Sequence, residues 1–126
     1  MSKTQAGLIL FAHGSRVEAA NEGVRAAARD VARLGSFRHV GAAFLEFGRP
    51  DLAGAAEALV RAGVNRIVVI PYFLTLGLHM ERDLPKLIAD IQGTHAGVEV
   101  RVAPPLEGHP GLVTVLLERA NAALSG

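Results

Sequence analysis

Two histidines and one glutamate lie just beyond apolar segments of this sequence. His13 follows the run LILF, His79 lies beyond the run IVVI, and Glu46 stands in the segment AFLEFGRPD. Imidazole is the commonest metal ligand among protein side chains and the main proton carrier near neutral pH. Two imidazoles and a carboxylate suit divalent cobalt, iron, nickel or zinc. Because a metal binds only neutral imidazole, activity at such a site should fall in acid.

Four apolar segments have the pattern of strands, and each precedes a segment with helical periodicity. The strands are expected at Leu8 to Ala12, about Val40 to Phe47, Arg66 to Tyr72 and Val98 to Val102. The third is apolar almost throughout, as in a buried parallel strand, whereas the fourth alternates and should lie at an edge. We therefore predict one α/β domain over residues 1–126, a three-layer sandwich with helices on both faces of a four-stranded parallel sheet. The βαβ rules favour strand order 2-1-3-4.

Apolar residues at three- and four-residue steps predict one sheet-facing side on each helix. The helices are expected at about Val17 to Leu34, from Leu52, from between Met80 and Leu84, and at Pro110 to Leu124. Pro85 sets the late start of the third helix, since proline is tolerated only in a first turn. The residues expected to face inward are Ala20, Val24, Ala27, Val31 and Leu34; Leu52, Ala55, Ala56, Leu59 and Val60; Leu84, Leu87, Ile88 and Ile91; and Leu112, Val115, Leu116 and Ala123.

The carboxyl ends of parallel strands meet at one edge of the sheet, where ligands of open α/β folds bind. His13, Glu46 and His79 should therefore share one cleft. Glu46 could accept a proton, hold a metal or bond a histidine, because an unpaired carboxylate among apolar neighbours is costly. Its alternative is a salt bridge to Arg49 at the strand end.

The motif His13-Gly14-Ser15-Arg16 lies at the predicted turn from the first strand into the first helix. Gly14 would let the backbone approach a ligand closely, and Ser15 could cap the helix, whose free amides favour an anion. Arg16 could pair with a carboxylate. The alternative interpretation is a helix cap with His13 lining the loop.

Asp83 has two possible roles near the predicted start of the third helix. Asp83 could orient the imidazole of His79 from four residues away, but we expect it to cap the helix instead. Asp51 and Gly35 are the expected caps of the second helix start and the first helix end. Among the other histidines, His109 should contact the start of the last helix, and His39 and His95 should lie on the surface.

Composition excludes several classes of protein. The 126 residues include 13 basic and 12 acidic ones, which argues against a general nucleic-acid binder. There are no cysteines, so disulfides, thiolate metal sites and cysteine nucleophiles are excluded. The apolar run near the start is too short for a signal peptide, and no stretch reaches the roughly 20 apolar residues of a membrane span. We therefore expect a cytoplasmic protein that does not bind membranes.

Four motifs together give the chain a resemblance to a known family. LILFAHGSR, FLEFGRPDL, IVVIPYFLTLGLHMERDLP and VAPPLEGHPGL, in this order, resemble the small sirohydrochlorin chelatases of the CbiX type. The similarity covers essentially the whole chain, and the third motif is the most specific. This family belongs to the class II chelatases, which need no ATP, and the sequence has no Walker-type nucleotide loop.

The resemblance implies insertion of a divalent metal, cobalt foremost, with iron and nickel as alternatives, into sirohydrochlorin on the way to cobalamin or siroheme. His13 and His79 match the family's metal-site histidines, and Glu46 matches its strand-end acid. The metal is a substrate, and no nucleotide is implied. Small members resemble one half of longer two-lobed chelatases, which implies a homodimer. Residues beside the cleft motifs that could bind the substrate carboxylates are Ser15, Arg16, Arg49 and Arg82.

Two other functions remain open at the level of sequence. The same three residues would serve a metal or tetrapyrrole carrier that binds its ligand without turnover. A histidine after the first strand is also a feature of histidine phosphatases, but those carry an Arg-His-Gly pattern, whereas Ala12 precedes His13 here. The sequence does not choose among the three metals, since all accept nitrogen and oxygen ligands.

Overall fold

A parallel four-stranded sheet forms the centre of the molecule. The computed structural model describes residues 6–125, and its strands are β1 (Ala6–Ala12), β2 (His39–Phe44), β3 (Arg66–Pro71) and β4 (Glu99–Val102). Their order in the sheet is β2-β1-β3-β4, and every neighbouring pair is parallel. The predicted fold class, the strand order and the edge position of the fourth strand are therefore confirmed.

Helices lie on both faces of this sheet. They are α1 (Glu18–Gly35), α2 (Leu52–Arg61), α3 (Leu78–Thr94) and α4 (Pro110–Ser125). Val24 and Ala28 of α1 pack on one face, whereas the buried side chains of α2 and α3 pack on the other. The connections after β1 and β3 thus leave toward opposite faces, and open α/β sheets bind their ligands at such a position. Among residues 6–125, no helix is both long and apolar enough to cross a membrane.

The second strand ends earlier than the sequence predicts, but its pairing with β1 continues. Regular β2 stops at Phe44, three residues before the predicted end at Phe47. The amides of Leu45 and Glu46 still donate to the carbonyls of Ala12 and His13, at 2.9 and 3.1 Å. These two bonds tie the segment after β2 to the segment after β1.

Two predicted helix caps have different outcomes. Asp51 caps α2 as expected, because its carboxylate accepts a hydrogen bond of 2.8 Å from the amide of Gly54. The prediction of Gly35 as the C-cap of α1 is wrong by one residue. Ser36 takes that position in the left-handed conformation, with φ of 61°. On α1 itself, Ala20 and Leu34 are exposed rather than inward.

The third helix begins earlier than Pro85 led us to expect. It starts at Leu78 with Gly77 as its N-cap, and Pro85 lies inside it. A proline there removes one hydrogen bond, but Met80 and Leu84 of the same turns are buried in the core. Their burial outweighs the local penalty, so His79 belongs to the first helical turn. Asp83 is consequently not the helix cap, and that prediction is wrong.

The last helix is present where it was predicted, but it does not pack as predicted. Over the whole of α4 no residue is buried, and Val115 and Leu116 are 47% and 67% exposed. The expected inward positions Leu112, Val115, Leu116 and Ala123 therefore do not cover the sheet of their own chain. The helix is present, but its predicted inward side is wrong, because periodicity alone does not say which surface a helix covers.

Candidate active site

His13 and Glu46 form a pair at the carboxyl edge of the sheet. The Nε2 atom of His13 lies 3.6 Å from Oε2 of Glu46, and the two side chains are 58% and 48% exposed. They follow the neighbouring strands β1 and β2, as the parallel topology requires. The carboxylate of Glu46 thus faces an imidazole. A contact with a histidine was one of the roles predicted for Glu46.

One backbone contact is compatible with the tautomer of His13 in which Nε2 carries no proton. Nδ1 lies 3.3 Å from the carbonyl oxygen of Gly14. Because a carbonyl oxygen only accepts, this contact is satisfied when Nδ1 carries the proton. The lone pair of Nε2 then points away from the backbone, on the side of Glu46. At 3.6 Å the carboxylate is beyond hydrogen-bond distance, so Nε2 remains available as a ligand or a base.

Gly14 is required for the close approach of these two segments. Its φ is 95°, and an added Cβ would lie 1.7 Å from the carbonyl oxygen of Glu46. No side chain fits there without displacing the backbone that carries Glu46. Gly14 therefore permits the close approach of two protein segments, whereas the predicted approach of a ligand stays a prediction.

Ser15 does not cap α1, contrary to expectation. The N-cap is Val17, and the hydroxyl oxygen of Ser15 accepts a hydrogen bond of 3.0 Å from the amide of Val17. The Ser15 amide donates to the side-chain oxygen of Asn21 at 2.9 Å. The Ser15 amide is therefore occupied within the loop before α1.

Asn21 is a residue of the site that sequence reasoning missed. It is 1% exposed, and its side-chain amide donates to the carbonyls of Ser15 and Phe47, both at 2.9 Å. Asn21 therefore fastens the segment after β1 to the segment after β2, and with them His13 and Glu46. The available signal was a polar residue on the same helical stripe as Val24 and Ala28.

Replacing Asn21 by alanine should lower the free energy of unfolding by about 2–3 kcal/mol, because it leaves the amide of Ser15 and two carbonyls without their partner. Urea denaturation measures this change. Asn121→Ala on exposed α4 is the matched control and should cost less than about 0.5 kcal/mol. Equal stability of the two variants would show that Asn21 does not fasten the loops.

A charged network on α1 supports the same region. Arg25 donates to Glu18 at 2.6 Å and to the carbonyl of Arg49 at 3.1 Å, and its guanidinium lies over the ring of Phe44. The hydrogen bond from Arg25 lowers the pKa of the Glu18 carboxyl, and that from Arg29 lowers the pKa of Glu22. A carboxyl group with a lower pKa in the folded chain than in the unfolded chain stabilises the fold at pH values above its ordinary pKa. This stabilisation is lost as the pH falls through the pKa of the folded state.

His79 lies at the same edge of the sheet, after β3. It is exposed in the first turn of α3, and Asp83 is one helical turn further along on the same side. Across residues 6–125, no three His, Asp or Glu side chains are grouped closely enough to hold a metal ion. The structure thus brings His13 and Glu46 together and leaves His79 outside that pair.

The three candidate arginines differ in their surroundings. The guanidinium of Arg16 lies 4.5 Å from the centre of the Phe47 ring, beside the His13 segment. Arg49 lines an open groove of about 480 Å³ together with Gly48, Pro50 and Asp51. Arg82 is exposed on α3, near His79 in the chain. All three belong to segments at the carboxyl edge of the sheet.

Large apolar side chains are exposed around this edge. Phe47 is 48% exposed and has a φ of 60°, a conformation that costs a residue other than glycine on the order of 1 kcal/mol. Asn21 holds its carbonyl, so the strained turn keeps the ring in solvent. The other exposed apolar residues of the segments after β2 and β3 and of the α3 start are Leu45, Tyr72, Leu74 and Leu78. Such a surface can receive a flat apolar ligand.

The remaining histidines lie outside this pair. Nδ1 of His109 accepts a hydrogen bond of 2.8 Å from the amide of Gly111, which confirms the predicted contact with the start of α4. His39 opens β2 at the other edge of the sheet, and His95 caps the end of α3. Both are partly exposed and each lines an open groove, which agrees with the predicted surface positions.

Named relatives of similar length match almost the whole chain. A sirohydrochlorin cobaltochelatase from Methanopyrus kandleri is 28% identical, over 93% of this chain and 96% of its own. The protein of the same name from Sulfolobus acidocaldarius is 33% identical, over 94% and 93%. Identity of this extent over full length indicates common descent and a shared fold.

Solved structures agree with the relatives. A cobalamin biosynthesis CbiX protein from Marinobacter aquaeolei has a TM-score of 0.83 and 28% identity, over 95% of this chain and 98% of its own. SirB from Bacillus subtilis subspecies spizizenii, solved in complex with cobalt, has a TM-score of 0.86 and 24% identity. The match covers 94% of this chain but 51% of SirB. The CbiX family model matches residues 7–123, and the chain therefore belongs to the CbiX family.

Proposed function

We propose that this protein inserts a divalent metal, cobalt foremost, into sirohydrochlorin without ATP. The observation that carries the proposal is the His13–Glu46 pair at the carboxyl edge of the sheet, in a chain that belongs to the CbiX family. The names of the relatives support the reaction, and the cobalt complex of SirB supports the metal. Histidine phosphatase activity finds no comparable support.

His13 and His79 hold the incoming metal in this proposal. They follow β1 and β3, the two strands whose connections leave toward opposite faces. Nε2 of His13 is a suitable ligand when it carries no proton, and imidazole binds cobalt, iron and nickel alike. Holding the metal and the macrocycle together converts a bimolecular encounter into a local transfer.

Glu46 provides the proton acceptor. Insertion of a divalent metal displaces two N–H protons from the macrocycle, and the metal forms bonds to the same nitrogens. The Glu46 carboxylate lies 3.6 Å from His13, so the pair can take up a proton and pass it to solvent. Both side chains are about half exposed, which gives the protons a way out.

The exposed apolar residues and the arginines bind the substrate. Phe47, Leu74 and Leu78 offer apolar surface to the flat ring, and Arg16, Arg49 and Arg82 pair with its carboxylates. The Ser15 hydroxyl accepts a hydrogen bond from the amide of Val17, and its own proton can still be donated to a carboxylate of the substrate.

We further propose that the protein is a cytoplasmic homodimer. The match with SirB covers 51% of that chain, so SirB contains a further length of chain about equal to a second copy of this one. The site of one copy is open, with His13, Glu46 and His79 all exposed. A flat macrocycle needs a second wall, which another copy can supply.

Multiple turnover tests catalysis against simple carriage of the ligand. With excess sirohydrochlorin and cobalt and without ATP, the absorbance change should correspond to many equivalents of metallated product per protein. Iron and nickel in parallel reactions show which ions the site accepts. A change that stops at one equivalent would mean that the protein is a carrier, and no change at all would contradict both functions.

A further inference from the structure

Strand β2 has a free edge. It lies at the end of the sheet order β2-β1-β3-β4, and among residues 6–125 its only neighbouring strand is β1. The backbone groups of successive residues in a strand point alternately to its two sides. The amide of Phe44 points away from β1, because it donates to the carbonyl of Pro50 at 2.9 Å. Val40 and Ala42, four and two residues earlier, therefore turn their amides and carbonyls toward the free edge as well.

The Phe44 end of this edge already pairs with a short segment of its own chain. The carbonyl of Pro50 takes the position that an added strand would occupy, but it reaches only Phe44. Across residues 6–125, the outward backbone groups of Val40 and Ala42 have no protein partner. Unpaired groups at a sheet edge are a template for pairing with another chain. The part of β2 around Val40 and Ala42 is therefore open to such pairing.

A groove of about 470 Å³ runs along this part of the edge, between helices α1 and α2. We call this space the β2 groove. Gly41 leaves it open, because this residue has no side chain on the α2 side of the sheet, and an added Cβ would meet no atom within 4 Å. The lining on the α2 side is apolar and consists of Ile9, Ala55, Ala58 and Leu59.

The β2 groove also carries positive charge. The residues that line it include Arg25, Arg29 and Arg38, and none of them is acidic. Arg25 and Arg29 belong to α1 and bind glutamates of their own helix, at 2.6 and 2.9 Å. Arg38, directly before β2, is exposed and has no carboxylate partner in the part of the chain from residue 6 to 125. The charge of the groove therefore complements an acidic ligand.

We propose that the β2 groove binds an extended acidic segment of another protein, which adds a fifth strand to the sheet. Main-chain hydrogen bonds to Val40 and Ala42 supply affinity, as in other complexes formed by strand addition. Alternate side chains of an added strand lie on opposite faces of the sheet. One set would contact Leu59 on the apolar α2 side, and the other would face Arg25 and Arg29 on the α1 side. The segment that fits is one in which apolar and acidic residues alternate.

Charge disfavours a second copy of this chain as the occupant. Two β2 grooves that faced each other would bring arginines against arginines. The other edge strand, β4, has the sequence EVRV, in which Arg101 offsets the charge of Glu99. Neither edge supplies the acidic strand that the groove fits, so the proposal is independent of the proposed homodimer and of the metal site.

A labelled peptide tests the proposal. The probe is a fluorescein-labelled hexapeptide of alternating valine and glutamate with blocked ends, and fluorescence anisotropy follows its titration with the natural chain. We expect saturable binding. The same peptide with lysine in place of glutamate should bind at least about tenfold more weakly, because its charges face arginines. Equal binding of the two peptides, or no saturation up to about 1 mM protein, would overturn the proposal.

Hydrogen exchange shows whether the bound peptide pairs as a strand. The amide of Ala42 points to the free edge, so saturating glutamate peptide should slow its exchange by about tenfold or more. The amide of Gly41 points toward β1 and is the internal control, since its hydrogen bond exists without the peptide. Binding that left the exchange of Ala42 unchanged would mean that the peptide does not extend the sheet, and it would overturn the proposal.

Two variants locate the binding in the β2 groove. Arg38→Glu reverses the unpaired charge, and Gly41→Leu fills the groove; each should weaken binding of the glutamate peptide by about tenfold or more. Arg101→Glu, an exposed change on β4, is the matched control and should bind as the natural chain does. Circular dichroism checks the fold, and exposed Arg38 provides the test if Gly41→Leu unfolds. Natural affinity in folded Arg38→Glu would overturn the proposal.

Sedimentation distinguishes the proposed partner from a second copy. Gly41→Leu should leave the oligomeric state of the natural chain unchanged, because the groove receives a segment of another protein. If Gly41→Leu dissociated an oligomer of the natural chain, the groove would hold a second copy and the proposal would be wrong. None of these measurements uses cobalt or sirohydrochlorin, so the proposed function is judged separately.

Discussion

Replacing His13 by alanine should lower the rate of cobalt insertion into sirohydrochlorin by about 100-fold or more. The imidazole places Nε2 beside Glu46, and the segment after β1 offers no second imidazole or carboxylate at that point. The side chain is 58% exposed, so its removal should leave the unfolding midpoint within about 3 °C. Initial rates from the absorbance change, with circular dichroism for the fold, measure both.

His95→Ala is the matched control for this loss. His95 caps the far end of α3, away from the carboxyl edge of the sheet, and should leave the insertion rate unchanged. If His13→Ala retained the natural rate while folded, His13 would have no part in the reaction. Glu46→Gln keeps the size of the side chain and removes the proton acceptor. Its loss of rate should therefore depend less on the cobalt concentration than the loss caused by His13→Ala.

Replacing His79 by alanine should raise the cobalt concentration needed for half-maximal rate at least about tenfold, because one of the two imidazole ligands is lost. His79 is exposed in the first turn of α3, so the helix should survive the change. Titrating cobalt at fixed sirohydrochlorin measures this concentration. Lys86→Ala, an exposed change in the same helix, should behave as the natural protein. An unaltered cobalt dependence of His79→Ala would remove His79 from the metal site.

The sheet was predictable because its signals are local. The run IVVI is apolar throughout, which is typical of an interior strand, and β3 lies between β1 and β4. The alternating segment Val98 to Val102 predicted an edge, and β4 is one. Alternating strands and helices then restrict the topology, since right-handed parallel connections leave few arrangements.

The errors arose where tertiary contacts override local rules. Pro85 predicted a late start for α3, but the burial of Met80 and Leu84 holds the turns before and around it. The periodicity of α4 predicted burial of Leu116, but a stripe does not reveal whether its own chain or another one covers it. Caps shifted by one or two residues, as with Gly35 and Ser15, are beyond the precision of sequence patterns.

The residues of the site were easier to predict from the sequence than their positions relative to one another. That Glu46 would lie near His13 follows from the parallel pairing of β1 with β2. The role of Asn21 depends on hydrogen bonds to carbonyls 6 and 26 residues away, which no local pattern encodes. The position of His79 relative to the pair depends on the path of the segment between β3 and α3, which no local sequence pattern encodes.

Crystals of the protein with bound cobalt, measured at the cobalt absorption edge, test the central claim most directly. The anomalous signal locates the metal without reference to any assay. We predict one cobalt ion at the carboxyl edge of the sheet, at about 2.0–2.2 Å from an imidazole nitrogen of His13 and one of His79, with Glu46 close by. Cobalt bound at other residues, with these two imidazoles on separate sides of the molecule, would contradict it.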